Sequence, residues 1–586
     1  MSSDARAKEL IDLGDRLFGD KTGFDSLCQE IALNLYPERA DFTTTLTLGT
    51  DFGAHLMDSF PLLMRRELGN SISAMLRPRD RQWFRTTTLD PDLDSEEEVA
   101  RYLDHITKTV NSRIYDPHAK FVRATKQADH DYVTFGQAVI SVEEAPNRTH
   151  LFFRAHHVRD CAWLDNEIGE VDHLHRKDSM TARAMKRRFG ERVLDSSILQ
   201  ACEKEPGKMF PLRVVVLPAD EYDGYGGAAT AEAADRKGIR DPGSPSGRPG
   251  LRLPYAIVYI DAAHGKILRE GGLIDFPYVV PRWHMISGSP YAFSPAAMTA
   301  LPDARMAQDL ARILIEAGEK MVDPPMIATE EAVREVNIQA GAVTWVDYAY
   351  DERLGEALRP LRIEGDMRTG LAMRQDLRDL LNKAFFIDRL GLPNAPGDMT
   401  AYETAKRVEE HIRNLLPLFE PIEIEYNVRL LDKAFALLRN MNMFDTDAMP
   451  ERLSGAAVAW AFESPLQQAQ SRLVVSQFGE VLSLVRMAAE AGVKAMPIYV
   501  GKALKDAIRG TGAPATWRKS EAEEAAETEQ AEAQQALAGA AQEIAAGSAA
   551  VEQASNASLA LRQAMAPQAG KESAKRPPAA PPGGKP

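Results

Sequence analysis

The sequence predicts an α+β protein, mainly helical, with three or four packed modules. Helices are indicated by apolar residues that recur every three or four positions, most regularly over 54–76 and 424–438. Strands are predicted between 137 and 269, where short apolar runs are separated by turn residues. A chain of 586 residues is too long for a single hydrophobic core, so several modules are expected.

The first half of the chain divides into a helical part and a β-rich part. Two short amphipathic helices are predicted between 7 and 40, and a further helical stretch lies between 98 and 130. The helix predicted over 54–76 carries a six-term apolar series: Met57, Phe60, Met64, Leu68, Ile72 and Met75. Strands follow at 137–143, paired with 151–156, then at 212–217, 255–260 and 266–269. The last two strands are predicted to form a hairpin across 261–265.

A segment of unusual composition precedes the next strand and helix. Residues 219–252 are rich in Gly, Ala, Asp and Pro and cannot bury much apolar surface, which predicts a mobile surface insertion. An apolar strand near 276–283 then leads into a helix over 295–322, ended by Pro324 and Pro325. The apolar residues predicted on one face of this helix are Leu310, Ile313, Leu314, Ala317 and Met321.

The remainder is predicted to alternate short strands, helices and loops. Strands are expected around 326, 343–346 and 361–363, a helix over 367–388, and a Gly/Pro-rich loop over 389–399. A long helix from Thr400 breaks at Pro417 and Pro421, and its continuation has apolar residues in 4-3-4-3 spacing: Ile424, Val428, Leu431, Phe435 and Leu438. Between 520 and 546 there are seven Glu and no Lys or Arg, and the chain past 566 is disordered by composition.

Composition restricts the function. The net charge of −15 disfavours tight or sequence-specific DNA binding, because such proteins normally carry a basic excess. An acidic wall would instead suit a conduit through which DNA slides. No apolar run reaches the roughly 18 to 20 residues that cross a bilayer, so no membrane association is expected. Three cysteines far apart predict neither a disulfide framework nor a zinc knuckle.

No catalytic residue, cofactor or metal is assigned. The densest set of potential metal ligands contains His156, His157, His173 and His175, which leaves a metal-dependent hydrolase as an alternative. The set lacks the spacing of an established metal motif, and a solvated β-hairpin explains it more simply.

One basic run lies beside aromatic residues. Arg77, Arg79, Arg81 and Arg85 surround Trp83 and Phe84, a composition that could contact phosphates and bases. The favoured alternative is a turn that ends a helix, with the aromatic side chains in the core and the arginines paired with acidic residues of a neighbouring subunit.

Several ordered blocks together resemble one protein family. They are FPYVVPRW (276–283), the SPYAFSPAAMTALPDARMAQDL helix with its MVDPP stop, YVTFGQAVISVEE (132–144), RPRDRQWF (77–84), and MTAYE (399–403) followed by a charged helix and LLP (415–417). This order, over roughly residues 10–445, resembles the portal (head-to-tail connector) proteins of T7-like short-tailed bacteriophages. The chain departs from the family pattern at 291–295 and at Glu420, which affects a local turn and one contact between subunits.

The resemblance implies a division into named regions. Residues 1–294 and 400–445 would form the wing, the helices 295–322 and 367–388 the stem, and 323–366 the clip. The loop 389–399, with Arg389, Asn394 and Asp398, would face DNA in the channel. Residues 446–515 would form a helical crown, and 516–586 an Ala/Glu-rich extension and disordered tail.

The resemblance also implies the assembly and its partners. A homo-oligomeric ring, expected as a dodecamer, would sit at one capsid vertex of the virion after assembly in the host cytoplasm. It would serve genome packaging, head–tail joining and genome ejection, with double-stranded DNA passing through without sequence specificity. The implied partners are the terminase large subunit (the packaging ATPase), major capsid and scaffolding proteins, and tail adaptor proteins. Another ring-forming virion adaptor is a further alternative, although such adaptors are usually much shorter.

Overall fold

The structure is a computed structural model that describes most of the first 462 residues. It covers 3–222 (except 48, 50, 80, 81, 146 and 147), 253–322, 326–328, 358–360, 367–390, 422–445, 449–453, 455 and 457–462, with isolated helical positions at 479, 481–483, 487, 504 and 530. The chain divides into two compact units, Met1–Ala513 and Pro514–Pro586, and the elements below belong to the first.

The described helices lie mainly in the first 135 residues and after residue 295. They are α1 (Ser3–Asp20), α2 (Thr22–Leu35), α3 (Phe60–Leu76), α4 (Pro91–Ser95), α5 (Glu97–Ile114), α6 (Phe121–Phe135), α7 (Ala182–Phe189), α8 (Ser196–Lys204), α9 (Pro295–Val322), α10 (Met367–Ala384), α11 (Ile387–Leu390) and α12 (Arg429–Asn440). A π-helical turn, Glu423–Val428, precedes α12.

The described strands are antiparallel wherever they pair. They are β1 (Phe84–Thr88), β2 (Val139–Glu144), β3 (Leu151–His156), β4 (Cys161–Asp165), β5 (Val171–Thr181), β6 (Met209–Pro218), β7 (Tyr255–Asp261), β8 (Lys266–Leu273), β9 (Tyr278–Val279), β10 (His284–Met285), β11 (Ala292–Phe293), β12 (Met326–Ala328), β13 (Leu358–Pro360) and β14 (Val458–Phe462). They form a five-stranded sheet in the order β4-β5-β6-β7-β8, a three-stranded sheet β3-β2-β9, and the pairs β1-β14, β10-β11 and β12-β13.

The five-stranded sheet is covered on both faces. Side chains alternate between the two faces of a strand, so Leu212 and Val214 of β6 pack with α7 and α8, while Val215 and Leu217 pack with α1. This two-sided burial explains why β6 reads as a nearly continuous apolar run.

The main core joins the remaining elements. Its buried side chains come from α2, α3, α5 and α6, from β2 and β3, from the first half of α9, from the end of α10 and from α12. The largest of them include Trp83, Trp163, Tyr132 and Tyr426. No helix among the described residues is both long and apolar enough to span a bilayer.

Much of the predicted secondary structure is confirmed. The class is mixed α and β, the two N-terminal helices are present, and the helix predicted over 295–322 has those bounds. The hairpins predicted at 137–156 and 255–269 are both antiparallel strand pairs. The stretch 98–130 contains two helices rather than one, because the chain turns between Ile114 and Phe121.

Two predicted helices begin or end differently from expectation. The helix predicted over 54–76 begins at Phe60, whose N–H donates to Asp58 Oδ1 (2.9 Å), with Pro61 in its first turn. Met57 therefore lies outside the helix and is half exposed instead of packing along a core. The helix predicted over 367–388 ends at Ala384, because Phe386 takes a left-handed conformation (φ 56°) before α11 begins.

The apolar series predicted over 424–438 does not form one continuous buried face. The π-helical turn at Glu423–Val428 inserts an extra residue into one turn and rotates the preceding side chains relative to α12. Ile424 is consequently 57% exposed, while Tyr426 and Leu430 are buried. The segment 458–462, expected within a helical crown, is instead a strand that pairs with Phe84–Thr88.

Several predicted segments lie outside the described residues. These are most of the insertion 219–252 (from 223 onward), most of the segment 323–366 with its strands at 343–346 and 361–363, the long helix from Thr400 to 421, and nearly all of 463–586. The strand expected at 361–363 has a described counterpart at Leu358–Pro360, which pairs with Met326–Ala328.

Candidate functional site

Helices α9 and α10, together called the helix pair, run antiparallel and in contact. A Cβ placed on Gly318 of α9 would lie 3.5 Å from Met367 Cε of α10. A Cβ placed on Gly370 would lie 2.6 Å from Leu314 Cδ2. As the position advances along α10 it recedes along α9, which defines the antiparallel arrangement. The missing side chain at Gly370 allows the close approach, because even a methyl group there would displace Leu314.

The base of α9 rests against the end of α6. Helix α6 terminates at Gly136, which has φ 77°. A Cβ at this position would lie 2.1 Å from the carbonyl carbon of Phe293 and 2.3 Å from the backbone nitrogen of Ser294. Only glycine fits here, since the obstructing atoms are backbone.

Hydrogen bonds complete this corner. Ser294 Oγ donates to the Val133 carbonyl of α6 (2.6 Å) and accepts from the Ala297 N–H (3.1 Å), so it satisfies one of the free amides in the first turn of α9. Gln137 Oε1 accepts from the Ala292 N–H (2.9 Å). The start of α9 is therefore held by side chain and backbone at once.

A second anchor ties both helices of the pair to the loop before α3. Gln308 of α9 accepts from the N–H groups of Met57 (2.7 Å) and Asp58 (2.9 Å), and its Nε2 donates to the Asp58 carbonyl (2.7 Å). Arg378 of α10 donates to Asp58 Oδ2 (3.3 Å) and lies 5.0 Å from the Phe60 ring centroid. One nearly buried aspartate thus contacts both helices.

An aromatic cluster links the end of α10 to the core. Trp283, the last residue of the FPYVVPRW block, stacks on Tyr132 (5.3 Å between centroids) and lies 6.5 Å from Phe386. Tyr426 of the π-helical turn lies 6.1 Å from Tyr132. Blocks that are far apart in the sequence, near residues 132, 283 and 426, therefore meet in one cluster.

Arg77 is a buried structural residue and is not available to DNA. It forms a buried ion pair with Asp129, donates to Asn427 Oδ1 (2.9 Å) and lies 4.6 Å from the Tyr426 ring centroid. Its acidic partner belongs to the same chain, so the expected pairing with a neighbouring subunit is wrong for this residue.

The rest of the predicted basic patch is dispersed. Trp83 and Phe84 are core residues, as the favoured alternative predicted. Arg79 and Arg85 are exposed, and Arg81 lies outside the described residues. Among the described residues of this turn, the exposed basic side chains are Arg79 and Arg85, on either side of a buried aromatic pair.

The helix pair has a buried half and an exposed half. The first half of α9 packs into the core through small side chains and one leucine: Ala296, Ala297, Ala300, Leu301, Ala304, Ala307 and Ala311. In its second half the predicted apolar face is only partly covered: Ile313 is 55% and Met321 62% exposed, whereas Leu310, Leu314 and Ala317 are half-buried. Other large apolar side chains exposed on the pair are Met298, Met306, Ile315 and Val322 of α9 and Leu371, Met373 and Leu380 of α10.

The residues predicted to face DNA are only partly described. Arg389 lies in the short helix α11, not in a loop, and its guanidinium is 5.6 Å from the Phe386 ring centroid. Asn394 and Asp398 lie outside the described residues. Their placement in a channel stays a prediction.

The four histidines do not converge on one site. His156 contacts Ser141 Oγ (2.9 Å) and Arg176 Nη1 (2.9 Å), whereas His157 contacts Asp41 Oδ1 (2.7 Å). Within the ranges that the structure covers, no three His, Cys, Asp or Glu side chains are grouped so as to hold a metal ion. The metal-dependent hydrolase is therefore not favoured.

The expectation of a solvated hairpin is wrong for His156, His173 and His175, because all three are buried. His173 and His175 lie on β5, both buried, with their Nε2 atoms 3.0 Å apart. Burial lowers the pKa of His173 to about 4, and burial together with His173 and Arg213 lowers the pKa of His175 to about 2. Both rings are neutral at pH 7, so one donates its proton to the other. Gly14 of α1 lies directly over His175.

Sequence reasoning missed Asp58, Gln308 and Arg378. A polar residue in the middle of an amphipathic helix gives no local signal of its partner, and these partners are about 250 and 320 residues away in the chain. Gly136 carried a signal, because it stands in the quoted YVTFGQAV block, although the sequence did not indicate what its backbone touches.

Comparisons with known proteins agree on one family. Residues 7–518 match the family described as "Bacteriophage head to tail connecting protein". A "Probable portal protein" of Bordetella phage BPP-1 is 24% identical over 503 residues, which cover 84% of this chain and 85% of that protein. A "Portal protein" of Salmonella phage epsilon15 is 23% identical over 486 residues, covering 81% and 82%.

A solved structure gives a weaker comparison. A chain described as "Virion of native gene transfer agent (GTA) particle" has a TM-score of 0.30 and 9% identity, over 78% of this chain and 94% of that one, which is too low for a fold assignment. The family match covers most of the sequence, including every residue described above from Ala7 to Phe462. This chain belongs to the bacteriophage head-to-tail connecting protein family.

Proposed function

We propose that this chain is the portal subunit of a phage capsid and that copies of it assemble into a ring around a DNA channel. The family match and the two relatives with portal names support this function. The observation that carries the assembly is the exposed apolar half of the helix pair. A single subunit leaves these side chains in water, and several large apolar side chains exposed on one element are typical of protein interfaces.

The pattern on α9 suits a ring in particular. Met306 and Ile313 are seven residues apart and therefore share one side of the helix, and so do Ile315 and Val322. From Ile313 to Ile315 the helix turns by roughly 200°, so these two apolar sides are nearly opposite. A ring built by rotation needs two different contact surfaces on each subunit, one for each neighbour. The helix pair offers two such surfaces.

The regions are assigned by family resemblance. The helix pair would be the stem, the segment 323–366 the clip that meets the packaging ATPase and later the tail adaptors, and the loop 389–399 the channel loop. The wing would comprise 1–294 and 400–445, extended by β14 at Val458–Phe462, because this strand completes a pair with Phe84–Thr88. The crown would then begin after 462.

The proposed channel would pass DNA without holding it. The subunit carries a net charge of −15, so a ring of twelve would carry a large negative charge overall. Such a wall weakly repels a duplex from every side, which favours sliding over sequence-specific binding.

The ring is tested on the full chain by mass photometry and negative-stain electron microscopy. We expect closed rings of about twelve subunits. Ile313→Glu should shift the population toward monomers and small oligomers, since it places a charge at the proposed interface. Ile168→Glu is the matched control, because Ile168 is 73% exposed in the turn between β4 and β5. Only monomers and dimers for the unaltered protein at every salt concentration would refute the ring, and equal effects of the two substitutions would refute the interface.

The channel loop requires a separate experiment. Removing 392–396 should leave rings intact but reduce the DNA retained in packaged particles, if the loop contacts the duplex. Normal packaging by rings of the shortened chain would exclude this placement of the loop.

A further inference from the structure

A strongly basic surface lies on α7, which is otherwise a small helix on the five-stranded sheet. Residues 181–192 (TARAMKRRFGER) contain five basic residues and one acidic residue, in a chain whose overall charge is −15. The five are Arg183, Lys186, Arg187, Arg188 and Arg192, here called the α7 basic surface, and all are exposed. The run carries five basic residues, against four in the basic turn at 77–85.

The helix directs these side chains away from the core. Ala182 and Met185 are buried against α8 and the sheet. At about 100° per residue, Arg183 and Arg187 fall on the side opposite to that buried pair, while Lys186 flanks it. The two arginines therefore share one solvent-facing side.

Four of the five have no acidic partner among the residues that the structure describes. Lys186 pairs with Glu191 (2.6 Å), and Arg188 donates to Tyr259 Oη (2.9 Å) and lies over that ring. Arg183, Arg187 and Arg192 form no ion pair in those ranges. Arg183 and Arg187 are four residues apart on the helix, where like charges repel. An anionic partner would relieve this repulsion.

A role in helix stability does not account for the whole surface. Basic residues in the last turn complement the negative end of the helix dipole, which explains Lys186, Arg187 and Arg188. Arg183 is in the first turn, where a positive charge is unfavourable, and Arg192 lies beyond the helix. These two arginines require another explanation.

We propose that the α7 basic surface binds the phosphate backbone of double-stranded DNA without sequence specificity. Four of its five side chains are arginines, whose planar fork suits bidentate contact with phosphate. Arg183 and Arg187 are separated by about 6 Å along the helix axis. Phosphates two steps apart on one DNA strand are separated by about 7 Å along the duplex. One side of this helix thus matches neighbouring phosphates.

This inference builds on the proposed portal function but adds a DNA contact away from the helix pair and the loop 389–399. In a ring, each subunit would contribute one such surface, so that a belt of phosphate contacts would encircle an otherwise acidic assembly. When one duplex contacts several of these surfaces at once, its overall affinity for the ring exceeds its affinity for any single surface.

The test compares two triple variants of the full chain for binding to a short mixed-sequence duplex by fluorescence anisotropy over a salt series. The first carries Arg183→Gln, Arg187→Gln and Arg192→Gln. The control carries Arg66→Gln, Arg123→Gln and Arg154→Gln, three exposed arginines elsewhere with the same change in charge. We expect the first variant to bind at least about tenfold more weakly and to lose roughly 2 to 3 units of salt slope, at about 0.9 per phosphate contact. The control should match the unaltered protein.

Each other outcome has a defined meaning. Equal weakening in both variants, or none in either, would overturn the proposal. Binding of poly-glutamate through the α7 surface without binding of DNA would also overturn it and would indicate an acidic protein partner. Mass photometry of the same samples separates this test from the portal proposal. Rings without α7-dependent binding refute only the DNA contact, and α7-dependent binding without rings refutes only the assembly.

Discussion

Replacing Gly136 by alanine should detach the base of the helix pair from the core. Gly136 ends α6 with φ 77°, and the ideal Cβ position lies 2.1 Å from the carbonyl carbon of Phe293. Non-bonded carbons pack at about 3.5–4 Å, so the segment before α9 must retreat by more than about 1 Å. Ser294 belongs to that segment, and its hydrogen bonds to Val133 and Ala297 would be strained.

The cost has three parts. A left-handed conformation costs a residue with a Cβ about 1–2 kcal/mol. Overpacking against a backbone that cannot rotate away adds about 1–3 kcal/mol. Each hydrogen bond lost at the corner adds about 0.5–1.5 kcal/mol. With one hydrogen bond lost the total is roughly 2.5–6.5 kcal/mol, which is a large fraction of a typical domain's stability of about 5–15 kcal/mol.

Gly265→Ala is the control that measures the cost of the left-handed backbone conformation without a steric clash. Gly265 lies in the turn between β7 and β8 with φ 61°, and nothing lies within 4 Å of its ideal Cβ position. This control should cost only about 1 kcal/mol, because it pays for the conformation alone. The assays are thermal unfolding and the fraction of rings by mass photometry, measured on both variants.

The reasoning predicts a clear difference between the two glycines. Gly136→Ala should lower the melting temperature several times more than Gly265→Ala and should reduce the ring fraction, since α9 is displaced. Equal shifts in melting temperature for the two variants, or normal rings and an unchanged melting temperature for Gly136→Ala, would contradict this reasoning. Either result would show that the contact between Gly136 and Phe293–Ser294 adjusts without cost and does not position the helix pair.

Three further results are expected. Arg77→Met should destabilise the fold by about 3–5 kcal/mol, because it leaves Asp129 buried and unpaired, and should leave DNA binding unchanged. If the effects of Arg77→Met and Asp129→Leu on stability simply add in a double-mutant cycle, the ion pair does not stabilise the fold. The pKa values of His173 and His175 are depressed in the folded protein, so the unfolded chain binds more protons below about pH 6.5. The contribution of this pair to the free energy of unfolding is therefore fully present above that pH. It falls toward pH 4 by up to about 1.4 kcal/mol per pH unit and site. His175→Gln should flatten this pH profile of melting temperature, whereas the exposed His118→Gln should not, and equal profiles would contradict it. Removing 520–586 should leave rings and melting temperature unchanged, because the segment has few large apolar residues, and loss of rings would show that it is structural.

Local sequence signals fixed those elements whose determinants are local. The helix 295–322 was predicted with its observed bounds because proline stands at both ends and the apolar spacing runs between them. The hairpins were predicted because alternation and turn residues act over a few neighbouring positions. The family resemblance also depended on ordered local blocks, which a comparison over residues 7–518 supports.

Periodicity failed where packing overrode it. The spacing over 424–438 predicted one continuous apolar face, but the π-helical turn rotates Ile424 out of it. In α9 the spacing predicted an apolar face without indicating that Ile313 and Met321 on it are exposed in the single chain. A hydrophobic pattern identifies a surface that is to be buried, but not whether the same chain or a neighbouring copy buries it.

The sequence by itself determined the class of the fold, most element positions and the family. Only the tertiary structure decided which charges are available to a partner. Arg77 and Arg183 both look like members of basic runs, yet Arg77 is neutralised by Asp129, 52 positions away, while Arg183 projects into water. The reason is physical: the free energy of a charge depends on burial and on nearby opposite charge, and long-range folding sets both.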